Sequence, residues 1–469
     1  MYHHDTIDKT HKKRQYMSKH KPHPPKPPRK NPATNRPNNP VPARSNAPMS
    51  ALTLDIVAMR EGYGVGRNKR QEVLVPYTIE GEQITATLLK AQDGVSQTEG
   101  VTYGEGKTFL AVSADRVLGE CEHFGACWGC QWQHIAYPAQ LLMKFDALAQ
   151  VLQDVGGFSD DLLTQVLQPV IPSPTVWRYN HQAIFYRTKD GRYGFPRNVM
   201  YRKGFEAIEY CHTVHSSLQS LQESLQIDFE ELERYTLIVG SDDSTMMVLN
   251  MKSEDMPELE ADMPTSVNVL LPDGEPVNLF GDSAVRYRVN NVWFRATAGA
   301  FFRANVAQVE NLVKEVLFAL DLHGHESVLD LYAGVGVFSA FIAPHAEVVT
   351  LVESYPPSAT DAEENLLVYE NVDIVEGTVG EILDSMLETE AHYDAVVLDP
   401  LMRGVSTDDM QKLLHMNIAR VVYVSSNPQS FARDAKVLLA HGYRIERVQP
   451  LDIAPHTHYA DLVGVFRRK

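Results

Sequence analysis

Apolar and polar residues alternate in short bursts between residues 52 and 112, and glycines interrupt the bursts. Segments 52–57, 72–75 and 83–89 read as strands, with Gly62, Gly64 and Gly66 suited to a tight turn or bulge between them. That pattern predicts a small antiparallel barrel over residues 50–115. A mixed α+β region is expected over 116–290, where residues 183–187 alternate and residues 193–197 turn toward Cys211. From about residue 291 the period changes. Helical patterns at 305–320, 362–369 and 410–416 alternate with apolar runs at 328–331, 348–352, 395–398, 420–424, 443–448 and 462–465. This predicts a doubly wound α/β domain over 291–469.

Residues 1–48 break the pattern altogether. They hold ten prolines and almost nothing apolar, which predicts a disordered, basic, proline-rich tail, because such a stretch cannot bury enough surface to offset its ordering entropy. Charge sharpens the contrast. Residues 1–50 carry 11 basic and two acidic side chains, and the remaining 419 residues carry 32 and 58. An acidic body does not draw in a polyanion by bulk charge, so any nucleic-acid binding must come from local basic patches or the tail. No apolar run reaches the length of a membrane span and no signal-peptide pattern opens the chain, so the expectation is a soluble, cytoplasmic protein.

Three of the four cysteines lie at Cys121, Cys127 and Cys130, and the fourth is Cys211. Four thiolates are the ligand set of a cubane iron–sulfur cluster or a structural zinc, and two disulfides are the plainer alternative. Zinc sites usually pair two short knuckles, whereas a tight triplet with one remote ligand favours the cluster. Between Cys130 and Cys211, arginines and aromatics interleave at 177–197. They could clamp an RNA loop, or simply face solvent from a half-buried sheet.

The run Val328-Leu-Asp-Leu-Tyr-Ala-Gly-Val-Gly336 is an apolar strand entering a glycine turn. Gly334 and Gly336 let a ligand approach the backbone, and Ser339 stands where a dinucleotide fingerprint has its third glycine. An acid at Asp330 suits the amino group of S-adenosylmethionine, and Glu353, ending the next strand, suits a ribose. Asp399-Pro-Leu-Met402, Ser425-Ser-Asn-Pro428 and the loop Pro455-His-Thr-His-Tyr-Ala-Asp461 place polar groups at the same sheet edge.

With these motifs, residues 50–469 resemble the S-adenosylmethionine-dependent RNA (uracil-C5)-methyltransferases. The likeness rests on the four cysteines, Asp330–Gly336, Phe301-Phe302-x-x-Asn305, Asp399-Pro400, and Asn427-Pro428 with Ala432-Arg433-Asp434. It implies a TRAM-like, OB-like barrel, a central RNA-binding domain with a 4Fe–4S cluster on Cys121, Cys127, Cys130 and Cys211, and a Rossmann-like class I methyltransferase domain. It also implies S-adenosylmethionine contacts at Arg303, Asp330, Tyr332, Gly334, Gly336, Glu353 and Asp399. A ribosomal or transfer RNA is the implied partner, with no membrane and a monomeric state. In that family a cysteine thiolate adds to uracil C6, the enolate takes the methyl group at C5, and a glutamate removes the C5 proton.

Four departures fall at the chemistry. The nucleophile position is Ser426, the base position is Asp461, and Asp-Pro-Pro-Arg has become Asp399-Pro-Leu-Met402. The glutamine of the usual Phe-x-Gln is Arg303. A hydroxyl is far harder to ionise than a thiol and is a poor conjugate nucleophile. Two expectations follow: an RNA methyltransferase of this family, or an RNA-binding protein that keeps the fold without methylating uracil.

Overall fold

Leu54, Ile56, Val73, Val75, Ile84 and Ala86 all point inward and close a five-stranded barrel in the computed structural model. The structure describes residues 51–68, 71–89, 102–198, 204–225, 227, 229–254 and 264–469. The expected proline-rich tail lies outside the described residues. The barrel strands are Leu52–Arg60, Tyr63–Asn68, Gln71–Pro76, Gln83–Leu88 and Thr102–Ala111. Its pairing is antiparallel except where Val73 and Leu74 run parallel to Thr102 and Tyr103, a seam the alternation alone does not reveal. Gly62 sits at φ +88° in the turn after the first strand. Gly64 has a different reason to be glycine: a Cβ there would lie 2.1 Å from Thr78 Oγ1.

The central region is a helix, Tyr137–Asp154, and a mixed seven-stranded sheet around Phe185, Tyr235, Leu237 and Val269. Next comes an isolated hairpin, Ala284–Val289 with Val292–Thr297. Its inner face, Val285, Tyr287, Val289, Phe294 and Ala296, belongs to the core of the α/β domain. The expected division at residue 290 falls in the turn of this hairpin.

The α/β domain is doubly wound. In spatial order its sheet runs Val372–Glu376, Val348–Glu353, Ser327–Leu331, Ala395–Leu398, Arg420–Ser425, Asp461–Arg468 and Tyr443–Leu451. The first five are parallel; Asp461–Arg468 is antiparallel to both its neighbours. Residues 395–398 are buried throughout, as a central strand covered on both faces must be. Two expected helices stand close to their places, at Val306–Leu320 and Thr407–His415. The third begins earlier than expected, at Pro356–Leu366, because prolines 356 and 357 occupy its first turn, where a missing N–H costs nothing. The apolar Leu367 and Val368 that drew the expectation onward lie exposed past its end. Among the described residues no helix is long and apolar enough to cross a membrane.

Candidate functional site

The parallel topology brings the carboxyl ends of 327–331, 348–353, 395–398 and 420–425 to one edge, the edge where ligands bind open α/β sheets. Asp330 is fully buried on the central strand. Ser339 Oγ donates to its Oδ2 at 2.7 Å, and its Oδ1 has no partner among the described residues. Burial, reinforced by the charges of Asp399 and Glu353, pushes its pKa up to about 7. Beyond it Tyr332 takes φ +63°, a conformation that costs a bulky residue energy and marks a constrained turn. Gly334 follows at φ +57°, and the nearest atom to a Cβ placed there is the Phe301 carbonyl oxygen at 4.0 Å. The glycine therefore leaves open space rather than relieving a packing clash. Gly336 is the opposite case, since a Cβ would meet Leu366 at 2.8 Å. Glu353 pins the turn by accepting the N–H groups of Gly334 at 2.8 Å and of Ser354 and Tyr355 at 2.7 Å.

Arg303 joins the other expected site residues. Its Nη1 and Nη2 donate to Asp399 as a fork, both at 2.8 Å, and its Nε donates to Asp461 Oδ2 at 2.7 Å. The three side chains are 10%, 15% and 2% exposed. Burial works against the guanidinium charge, but two carboxylates outweigh it and hold Arg303 firmly protonated. One oxygen of Asp461, Oδ2, is therefore already engaged by a charged donor.

Ser426 is half-buried at the end of its strand, and its side chain forms no hydrogen bond among the described residues. The neighbouring Ser425 and Asn427 are structural: Ser425 Oγ accepts the Asn427 N–H at 3.1 Å, and Asn427 Nδ2 donates to the Met402 carbonyl at 2.7 Å. Arg433 and Asp434 complete that clamp. Asp434 accepts from Tyr423 Oη at 2.7 Å and Val405 N at 3.0 Å, and Arg433 Nη2 donates to the Arg403 carbonyl at 2.9 Å. The motif thus fixes the loop after Asp399. Phe302 stacks on Tyr287, with ring centroids 4.1 Å apart, and Asn305 caps its helix, so these too serve the scaffold.

The loop that ends in Asp461 is held by residues the sequence reading missed. Lys144 is wholly buried and donates to Asp452 Oδ1 at 2.5 Å, to the Tyr459 carbonyl at 2.7 Å and to the Ala454 carbonyl at 3.1 Å. Gln140 Oε1 accepts the His456 N–H at 2.8 Å, and Trp132 N donates to the His456 carbonyl at 2.9 Å. A signal existed: Gln140, Lys144 and Leu148 recur at i, i+4 on the buried face of their helix, so a lysine stands inside an apolar stripe. His456 stacks on Trp177 at 3.8 Å, and burial, then the Lys144 charge, lowers both His456 and His458 to about 4. The imidazoles of this loop are neutral packing groups.

Cys121, Cys127, Cys130 and Cys211 are all free thiols and line one cavity of about 320 Å³. Among the described residues no group of three or more His, Cys, Asp or Glu is arranged to hold a metal ion. Four thiols on one cavity are the donor set of a 4Fe–4S cluster, but the structure does not draw them into a metal-holding group, so the expected cluster site is not borne out. Burial and the neighbouring sulfurs push Cys121 and Cys130 upward and Cys127 to about 12. Four thiolates there require compensating positive charge.

Residues 282–469 match the family model described as tRNA (Uracil-5-)-methyltransferase. Over 449 residues the chain is 28% identical to an uncharacterised RNA methyltransferase of Halalkalibacterium halodurans, covering 87% of this chain and 95% of that one. It is 27% identical over 467 residues to one of Listeria monocytogenes, covering 92% and 99%. Among solved structures it is similar to the Pyrococcus abyssi tRNA (uracil-54, C5)-methyltransferase in complex with S-adenosyl-L-homocysteine. That likeness has a TM-score of 0.65 and 23% identity, and covers 88% of this chain and 99% of that chain.

Proposed function

We propose that this chain, whose residues 282–469 match the tRNA (Uracil-5-)-methyltransferase family model, is an S-adenosylmethionine-dependent RNA methyltransferase by fold and cofactor site. The observation that carries this reading is the edge at Asp330 and Gly334: a buried carboxylate oxygen without a partner beside a backbone turn left open. Asp330 would hold the amino group of the cofactor, Gly334 and Gly336 would admit its backbone contacts, and Glu353 would accept from the ribose. Tyr332 would shape the turn. The substrate is an RNA, transfer or ribosomal.

Cofactor binding tests it. In a calorimeter the wild type is expected to bind S-adenosylmethionine, and Asp330→Asn to weaken binding by about 10- to 100-fold, the worth of a hydrogen bond between charged groups. Equal affinity in the two proteins would sink the assignment. Stability carries a second signature of Asp330. The folded state keeps its proton to about pH 7, while an unfolded chain releases it at about pH 4. Its contribution is therefore fully present below pH 4 and lost as the pH rises through 7. Urea titrations from pH 4 to 8 should show that fall in the wild type and a flatter profile in Asp330→Asn.

In the same reading Cys121, Cys127, Cys130 and Cys211 hold a 4Fe–4S cluster, whose safest role is in folding. A second reading shares all of this but denies methyl transfer to uracil C5. One observation favours it: Arg303 grips Asp399 and Asp461 together, while the Ser426 side chain is hydrogen-bonded to no base among the described residues. On this reading the protein is a catalytically impaired binder of RNA and cofactor.

A further inference from the structure

The hairpin that precedes Arg303 has an outer face that the protein itself uses only in part. Its register pairs Arg286 with Arg295 and Arg288 with Trp293 across the two strands. Like charges placed directly opposite are unfavourable in a sheet, and here only one of the pair is neutralised within the protein. Arg295 is held by Asp361 and by Glu364, the latter at 3.3 Å. Arg286 is exposed, with no ion pair among the described residues. Arg288 is exposed too, and among the described residues its guanidinium bonds only to the side chain of Asn291. Trp293, 45% exposed, stands opposite Arg288 on the facing strand, with the Arg288 guanidinium over its ring, 6.0 Å from the centroid.

We propose that this face is a landing platform for single-stranded RNA, with a base stacked on Trp293 and flanking phosphates on Arg286 and Arg288. The inference rests on the RNA reading above and names the surface that serves it. Outside residues 1–50 the chain carries 58 acidic against 32 basic side chains, so two unpaired guanidiniums beside an exposed indole form a local exception. A ring with cations at its rim is what non-specific single-strand binding uses. A cleft of about 380 Å³ opens beside the ring, bordered by Arg286, Arg295, Asp242, Glu364 and Asn365. Its two carboxylates repel phosphate, and so assign the cleft to a base edge with amino donors and leave the backbone to the outer arginines. The platform also lies along the route to the cofactor edge. Asn365 donates to both the Arg295 carbonyl, at 3.0 Å, and the Val335 carbonyl in the glycine turn, at 2.9 Å. A nucleotide presented to that edge would have its strand neighbours within reach of the hairpin.

The test uses the full-length protein, prepared anaerobically, and a fluorescein-labelled 20-nucleotide RNA of mixed sequence. Wild type should bind, with quenching of tryptophan fluorescence that is lost in Trp293→Phe. Trp293→Ala should weaken binding by about 5- to 100-fold, the worth of one stacked base. Arg286→Gln with Arg288→Gln should lower the slope of log affinity against log salt by about 1.4, as two lost phosphate contacts on a single strand require. These side chains point outward, so thermal melts of the variants should match the wild type. If wild type binds and the variants bind equally, the platform is overturned while the RNA reading stands. A loss confined to the arginine variant overturns the stacking role. Absence of RNA binding by wild type overturns both.

Discussion

Arg303→Gln, Ser426→Cys and Asp461→Glu made together are expected to give a protein that forms a covalent adduct with 5-fluorouridine-substituted RNA, where wild type forms none. The adduct reports the first step, addition of the thiolate to C6, and is trapped because fluorine at C5 cannot leave as the proton does. Ser426→Cys alone should already give some adduct, because addition to C6 comes before removal of the C5 proton, and the thiol is nucleophilic enough, at about 8.5 for an unperturbed cysteine. It should make little 5-methyluridine, because Asp461 would still be tied to Arg303 at 2.7 Å. For 5-methyluridine formation the three positions therefore act as one unit, and the combined gain should exceed the product of the single gains, as happens among residues that share one catalytic step. Removing the guanidinium alone has a cost. Asp399 and Asp461 would be left facing each other without a cation, and Arg303→Gln should lose about 3–5 kcal/mol by urea titration, as when one partner of a buried ion pair is deleted. An adduct, or 5-methyluridine, made by the purified wild type would end the impaired-enzyme reading at once.

Lys144→Met is the second large effect. Lysine and Asp452 are both fully inaccessible to solvent, and the lysine holds two loop carbonyls besides. Burial lowers its pKa, yet it is the charged form that fits three acceptors. Deleting it leaves a buried carboxylate unpaired, for an expected loss of about 3–5 kcal/mol. Lys144→Met combined with Asp452→Leu should recover much of that, because well-packed apolar replacements of a buried pair are often neutral. Hydrogen exchange separates stability from positioning: amides of residues 453–461 should lose protection in the double variant even where global stability returns. Unchanged protection would show that Lys144 does not position the loop that carries Asp461.

Much of the architecture was legible in the chain. Alternation at 52–57 and 83–89 gives a barrel because strand side chains alternate faces, and the apolar runs at 328–331 and 395–398 give central strands because a parallel sheet is buried on both sides. The likeness at Asp330–Gly336 falls on the turn that the structure leaves open at Gly334. Other residues changed meaning. Arg433 and Asp434 clamp a loop, and His456 and His458, read only as polar groups at the sheet edge, are neutral rings built into the loop.

Sequence by itself determined the periodicities, the sheet edge where polar groups gather, and the presence of serine at position 426, since each is a property of neighbours along the chain. Tertiary structure alone decided which charges meet. Arg303 reaches a carboxylate 96 residues away and another 158 away, and Lys144 reaches one 308 away. Burial patterns say which face is covered but not which distant loop arrives there, and the ion pairs that close this site depend on that arrival.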